Sequence, residues 1–309
     1  DVVATVKEGC EPTNVPVPTL VSESGRAIAS HFSVLVFNVL GSGGLQQPAP
    51  PIEQNEPLIV RNLRETFQGI EALPIDTPAD PSRLQEAWND ALKFKEDALA
   101  AFRLGYLSLK ERSMAEQLTW ACARALLDRL HDVAKLPDDL KTLPAVLAET
   151  YYANLSIFRS APDTWAIQQL FPVMPLHRLN EQPTRLGHFA DLTCDSDGKL
   201  NRFINDGQNK PLLELHPLKP NEPYLIGMFL GGAYQEVMGN LHNLFGSTDA
   251  AHIRLSPGGE YQVDHVVRGD TNAEVLEMME HDPDQLLERL RIASEKAISS
   301  GQLRISEAR

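Results

Sequence analysis

The sequence predicts an α+β fold: a helix and short apolar strands of the kind that end an α/β sheet or barrel, then a helical-bundle insertion, then a C-terminal β-rich domain with terminal helices. Three observations predict it. Continuous apolar runs of strand length stand beside a helix in the first 40 residues. A helical period takes over at Asp80. After Pro144, short strand-like runs are separated by Gly, Pro and Asp turns. At 309 residues the chain can hold two or three compact units.

Residues 1–43 read as helix, turn and strands. Val2, Val3 and Val6 form an apolar stripe and Pro12 to Pro18 a turn. Thr19-Leu20-Val21 and the run from Phe32 to Leu40 read as buried strands of a parallel setting. Asp1 to Gly9 has no helix start signal, so an upstream segment is expected. Residues 44–79 are expected to be a linker, because the stretch GSGGLQQPAPPIEQNEP is rich in Gly, Pro and Gln. Over 80–150, Asp80 is a good N-cap and Pro81 suits the first helical position. Leu84, Trp88, Leu92, Leu99, Phe102, Tyr106 and Leu109 make one stripe, and Met114, Leu118, Cys122, Leu126 and Leu130 a second, as in a helical hairpin of a bundle. The span 151–256 reads as β-rich, with strands at RLGHFADLTC, PLLELHP and PYLIGMFL. Over 257–309 a last strand, EYQVDHVVR, precedes helices at 272–280 and 284–299.

Composition narrows the function. With 28 basic and 42 acidic residues the formal charge is −14, and nothing basic clusters to neutralise phosphate. Nucleic acid and an anionic membrane are therefore not expected partners. No apolar run reaches the roughly 20 residues of a membrane span, and the first residues lack the charged head and apolar stretch of a signal peptide. Cys10, Cys122 and Cys194 are far apart without metal-ligand spacing, which suits the cytoplasm.

Four constellations carry possible chemistry. In Ser22-Glu23-Ser24-Gly25-Arg26, a glycine beside an arginine allows close backbone approach to an anion, and the glutamate can face a ring nitrogen. A salt-bridged turn is the plainer alternative. In Asp191 to Lys199 (DLTCDSDGK), the thiol of Cys194 beside Asp195 can donate a proton next to a carboxylate that recognises a cation. A solvated turn is the alternative there. In Gly231-Gly232-Ala233-Tyr234-Gln235-Glu236, the phenol can reach a phosphate or simply pack in the core. The chemistry of FPVMPLHRL, with His177, is not evident from residue types.

The order of these motifs adds more than any one of them. Strand–E-x-G-R, then C-D, then G-A-Y resembles the fold type III pyridoxal phosphate (PLP) decarboxylases. The longer strings PTLVSESGRAIASH, FPVMPLHRL, ADLTCDSDGKL, GGAYQEVMGNLHNLFG and GEYQVDHVVRGDT resemble biosynthetic arginine decarboxylases. The resemblance runs from about residue 1 to the end and covers the helical insertion. It implies that 1–43 holds the last strands of a PLP-binding TIM-like barrel. Glu23 would face the pyridine nitrogen, and Gly25, Arg26 and Tyr234 would hold the cofactor phosphate. Cys194 would return a proton to Cα, and Asp195 would meet the guanidinium of L-arginine, giving agmatine and CO₂ for polyamine synthesis. It also implies a homodimer or tetramer, with magnesium as an associated ion. No stretch resembles the family's Schiff-base lysine motif, and the last strands of a barrel cannot close one. The expectation is therefore a C-terminal half, inactive alone, that needs an N-terminal barrel segment or chain. The alternatives are a related basic amino-acid decarboxylase or a non-catalytic partner subunit.

Overall fold

In the computed structural model the described residues are 1–308 without 45–47, 76–79, 131–135 and 206–207. Helix α1 (Val2–Cys10) forms on the predicted valine stripe but buries none of its residues. After a short irregular stretch come α2 (Gly25–Ala29) and the 14-residue strand β1 (Ser30–Gly43). Thr19-Leu20-Val21 takes no regular structure, and Val21 is 92% exposed. An apolar triplet without a neighbouring strand has no ladder to satisfy its backbone. The run from Phe32 to Leu40 is a strand as expected, although its setting is antiparallel. Phe37 and Val39 point into the core, while Phe32, Val34, Val36 and Leu40 stay exposed. The apolar residues of β1 thus occupy both faces, and this chain covers one of them.

Next come α3 (Leu58–Glu71), α4 (Pro81–Arg103) and α5 (Leu109–Leu127). Helix α3 corrects the linker expected over 44–79. Val60, Leu63, Phe67 and Ile70 recur at helical spacing, and packing that stripe on α4 and α5 outweighs the Gly- and Pro-rich lead-in. Asp80 caps α4 by accepting the Ser82 N–H at 3.0 Å, and Ser108 with Glu111 forms a capping box on α5. The first stripe ends before Tyr106 and Leu109, which are 80% and 70% exposed, because Gly105 turns the chain at φ 80°. Leu84, Trp88, Met114, Leu118, Cys122 and Leu126 share one core, with the Cys122 thiol pushed up to about 12 by burial.

Two arginines tie the bundle together. Arg129 donates from Nη1 to Ala125 O at 2.7 Å, from Nε to Leu73 O at 3.0 Å and from Nη2 to Glu71 O at 2.8 Å, satisfying carbonyls left open at two helix ends. Arg64 pairs with the buried Glu56 and donates to the Pro50 and Pro51 carbonyls at 2.8 and 3.1 Å, which pins the proline-rich stretch to α3. Helices α6 (Asp138–Lys141) and α7 (Leu143–Val146) close this core with Leu140 and Leu143.

The remaining chain is strand-rich. It comprises β2 (Glu149–Ala153), α8 (Ile157–Ser160), α9 (Pro162–Ala166), β3 (Val173–Pro175), β4 (Arg185–Ala190) and β5 (Lys199–Leu200). Then follow β6 (Phe203–Asn205), β7 (Gln208–Lys210), β8 (Leu213–Leu215), β9 (Leu225–Gly232) and α10 (Ala233–Glu236). One sheet runs in the order β3-β9-β1-β2-β4-β5, with β8 also on β4. Its pairings are antiparallel except β2 with β4. Phe37, Tyr151, Phe189 and Phe203 meet edge-on in its core. The C-terminal elements are the hairpin β10 (Ala250–Leu255) with β11 (Tyr261–Val267), then α11 (Asn272–Met278) and α12 (Pro283–Ser299). Leu286, Leu287, Leu290 and Ile292 of α12 remain exposed.

Candidate functional site

The short helices α8 and α9 connect two of the predicted motifs. Asp163, in the first turn of α9, is 3% exposed. It accepts two hydrogen bonds from Arg26, Nε to Oδ2 and Nη2 to Oδ1, both at 3.0 Å. This is the bidentate fork that a guanidinium offers a carboxylate. The Arg26 guanidinium holds the Asp163 carboxyl below the usual range and is itself raised by the same hydrogen bonds. Gln235 adds a third donor, Nε2 to Asp163 Oδ2 at 3.0 Å. Arg26 lies 4.7 Å from the centroid of the Tyr234 ring, and a Cβ at Gly25 would collide with the Tyr234 hydroxyl. Tyr234, distant in sequence from Gly25 and Arg26, therefore meets them at the start of α2.

This cluster fits the phosphate end of the cofactor implied by the resemblance. Gly25 leaves room for the Tyr234 hydroxyl to come close, and the Arg26 cation stands beside both. Glu23 is not brought into the cluster. It is exposed on the irregular segment before α2, and the described residues do not enclose a ring around it.

The Cys194 loop is anchored from the other side of α8. Asp191, 7% exposed, accepts the Ile157 N–H at 2.8 Å on Oδ2, and the Thr193 N–H and hydroxyl at 2.9 and 2.7 Å on Oδ1. Asp195 accepts the Asp197 N–H at 2.9 Å, and its own N–H reaches Thr193 Oγ1 at 3.4 Å. The turn-capping alternative for Asp195 is thus present, and the residue still stands exposed. Cys194 is also exposed, and Asn243 Nδ2 donates to its Sγ at 3.4 Å. The loop presents a thiol and a carboxylate outward on a buried polar anchor.

Gly198 makes that anchor testable. A Cβ there would lie 2.5 Å from Asp191 Cγ and collide with Oδ1. Gly198→Ala should therefore cost on the order of 1–3 kcal/mol by overpacking and disorder the loop. Chemical denaturation and the rate of Cys194 alkylation measure both, and unchanged values would show that the loop does not depend on Asp191.

Asp163 and Asn243 are not among the residues the sequence singles out, and Gln235 enters there only as the neighbour of Tyr234. Gln235 and Asn243 lie within the GGAYQEVMGNLHNLFG string, whereas Asp163, in the tripeptide Pro162-Asp163-Thr164, carries no signal beyond an ordinary helix first turn. The FPVMPLHRL segment is a brace. His177 Nδ1 meets the Pro223 carbonyl at 3.0 Å, and Arg178 pairs with Glu181 and donates to Pro217 O, both at 2.7 Å. Among the described residues no group of three or more His, Cys, Asp or Glu side chains gathers as a metal site. No described helix is long and apolar enough to cross a membrane.

Residues 53–144 match the arginine decarboxylase helical bundle domain. The whole chain aligns with the biosynthetic arginine decarboxylase of Synechococcus sp. RCC307 at 71% identity, covering 47% of that protein. It aligns with that of Prochlorococcus marinus MIT 9313 at 69%, covering 48%. The crystal structure of the biosynthetic arginine decarboxylase SpeA from Campylobacter jejuni superposes with a TM-score of 0.74 at 30% identity, over 99% of this chain and 48% of that one. The chain spans about half the length of the curated relatives it matches.

Proposed function

We propose that this chain, which belongs to the biosynthetic arginine decarboxylase family along its whole length, is the C-terminal half of an enzyme that converts L-arginine to agmatine and CO₂ with PLP. The whole-length match at about 70% identity carries this proposal. The meeting of Gly25, Arg26 and Tyr234 supports it from the geometry. PLP, when bound, supplies an electron sink for the pair left on Cα as CO₂ departs.

The chain's own residues divide the remaining work. Gly25, Arg26 and Tyr234 receive the phosphate. Glu23 faces the ring nitrogen once the barrel segment encloses it, and a carboxylate there favours the protonated ring. Cys194 donates a proton to Cα, and Asp195 accepts the distal guanidinium of the substrate as a planar fork. The lysine that joins the cofactor belongs to the N-terminal barrel segment. The exposed apolar face of α12 and the exposed Ile253, Leu255 and Tyr261 of the β10–β11 hairpin support burial against further protein, in a dimer or tetramer. Three free cysteines support a reducing cytoplasm.

Turnover by the full-length enzyme tests this proposal. It should release CO₂ from L-arginine in preference to L-ornithine, L-lysine and diaminopimelate. Asp195→Asn, which remains a good turn residue, should lower kcat/KM for arginine by roughly 1.5–3 kcal/mol, with melting temperature unchanged. A full-length enzyme that prefers another amino acid, or an Asn variant with unchanged kinetics, would overturn the corresponding assignment.

A further inference from the structure

We infer that Asp163 is a positioning residue for the phosphate-binding turn, holding the Arg26 guanidinium in place against the Tyr234 ring. The inference rests on the assignment of Gly25, Arg26 and Tyr234 to the cofactor phosphate. A carboxylate as buried as Asp163 is costly unless its oxygens are paired, and here they take two N–H groups of Arg26 and one of Gln235.

The arrangement constrains one side chain from two directions. Asp163 takes the Nε and Nη2 edge of Arg26, and Tyr234 takes one face at 4.7 Å. Together these contacts restrain rotation of the guanidinium about its stem and leave Nη1 outside the Asp163 fork. Arg26 itself is half-exposed, its side chain at 44% against 5% for Asp163. The restraint is thus buried while the cation it restrains can be reached by an anion. Asp163 also neutralises Arg26, so its contribution is orientation and not added positive charge. Gln235 completes the unit, because it stands next to Tyr234 on α10 and donates to the same carboxylate. A single buried group thereby fixes both phosphate-facing side chains.

The test compares PLP with pyridoxal, which lacks the phosphate, on the full-length apoenzyme, by absorbance titration. Asn at 163 sets an NH₂ against one of the two Arg26 donors. Asp163→Asn should raise the dissociation constant for PLP by about 10- to 100-fold, the loss of one charge-assisted hydrogen bond, and that for pyridoxal by less than about threefold. Gln235→Leu, which leaves the ion pair in place, should shift PLP alone in the same direction by several-fold, and it serves if the Asn variant does not fold. Equal losses for both ligands would mean that Asp163 only maintains the fold. Unchanged or tighter PLP binding would mean that it does not position Arg26. Either overturns the inference. A wild-type enzyme that binds both ligands equally would instead sink the phosphate assignment itself, and the inference with it.

Discussion

Replacing Cys194 by alanine in the full-length enzyme should lower kcat by about 10²–10⁴-fold, the usual contribution of a positioned general acid. The thiol stands exposed on a loop whose shape is set elsewhere, by Asp191 on the Ile157 and Thr193 amides and by Asp195 on the Asp197 amide. Truncating one exposed side chain leaves those bonds intact, so PLP affinity and melting temperature should barely change. Asn243 loses only its 3.4 Å contact to sulfur. Product analysis adds a second readout, because a proton delivered from a different group can arrive at the cofactor instead of Cα and divert part of the amine. A variant with wild-type kcat and a single product would reject Cys194 as the donor.

Replacing Arg64 by methionine should destabilise the chain by about 3–5 kcal/mol, the cost of leaving a buried charge without its partner. Glu56 and Arg64 have side-chain exposures of 3% and 9%, and Arg64 also holds two backbone carbonyls of the proline-rich stretch. A surface pair would contribute no more than about 1 kcal/mol. Removing both charges, in the double variant Glu56→Gln with Arg64→Met, should recover part of the loss, since no unpaired charge then remains. The pH dependence has a defined sign. Hydrogen bonds from Arg64 hold the Glu56 carboxyl below its ordinary value of 4.5. The stabilisation is therefore complete above that value and is lost as pH falls below it toward the lowered folded value. Denaturant titrations at neutral and acid pH measure both effects. A loss under about 1 kcal/mol would place the pair among solvent-screened ones.

The structure also bears on how far short sequence signals reach. Asp80 is read correctly as the cap of α4 because capping involves residues within a few positions of one another. The α5 stripe of Met114, Leu118, Cys122 and Leu126 is likewise legible, since burial repeats with the helical turn. Helix α3 was missed although Val60, Leu63, Phe67 and Ile70 carry the same period. Its stripe is short, and the Gly- and Pro-rich residues ahead of it dominate the window. The triplet at Thr19 to Val21 errs the other way, because strand propensity is expressed only where a neighbouring strand can pair.

The sequence by itself carries the resemblance to the arginine decarboxylases, the bundle, and the proposed motif residues Glu23, Gly25, Arg26, Cys194, Asp195 and Tyr234, because these lie in short strings whose composition and order are distinctive. Tertiary structure alone decided that Arg26 meets Asp163 and Tyr234, that Asp191 anchors the Cys194 loop on α8, and that β1 lies antiparallel between β9 and β2. The physical reason is burial. A carboxylate such as Asp163 or Asp191 looks like any surface acid in the chain, and it becomes an organising group only when folding removes it from water and brings distant donors to its oxygens.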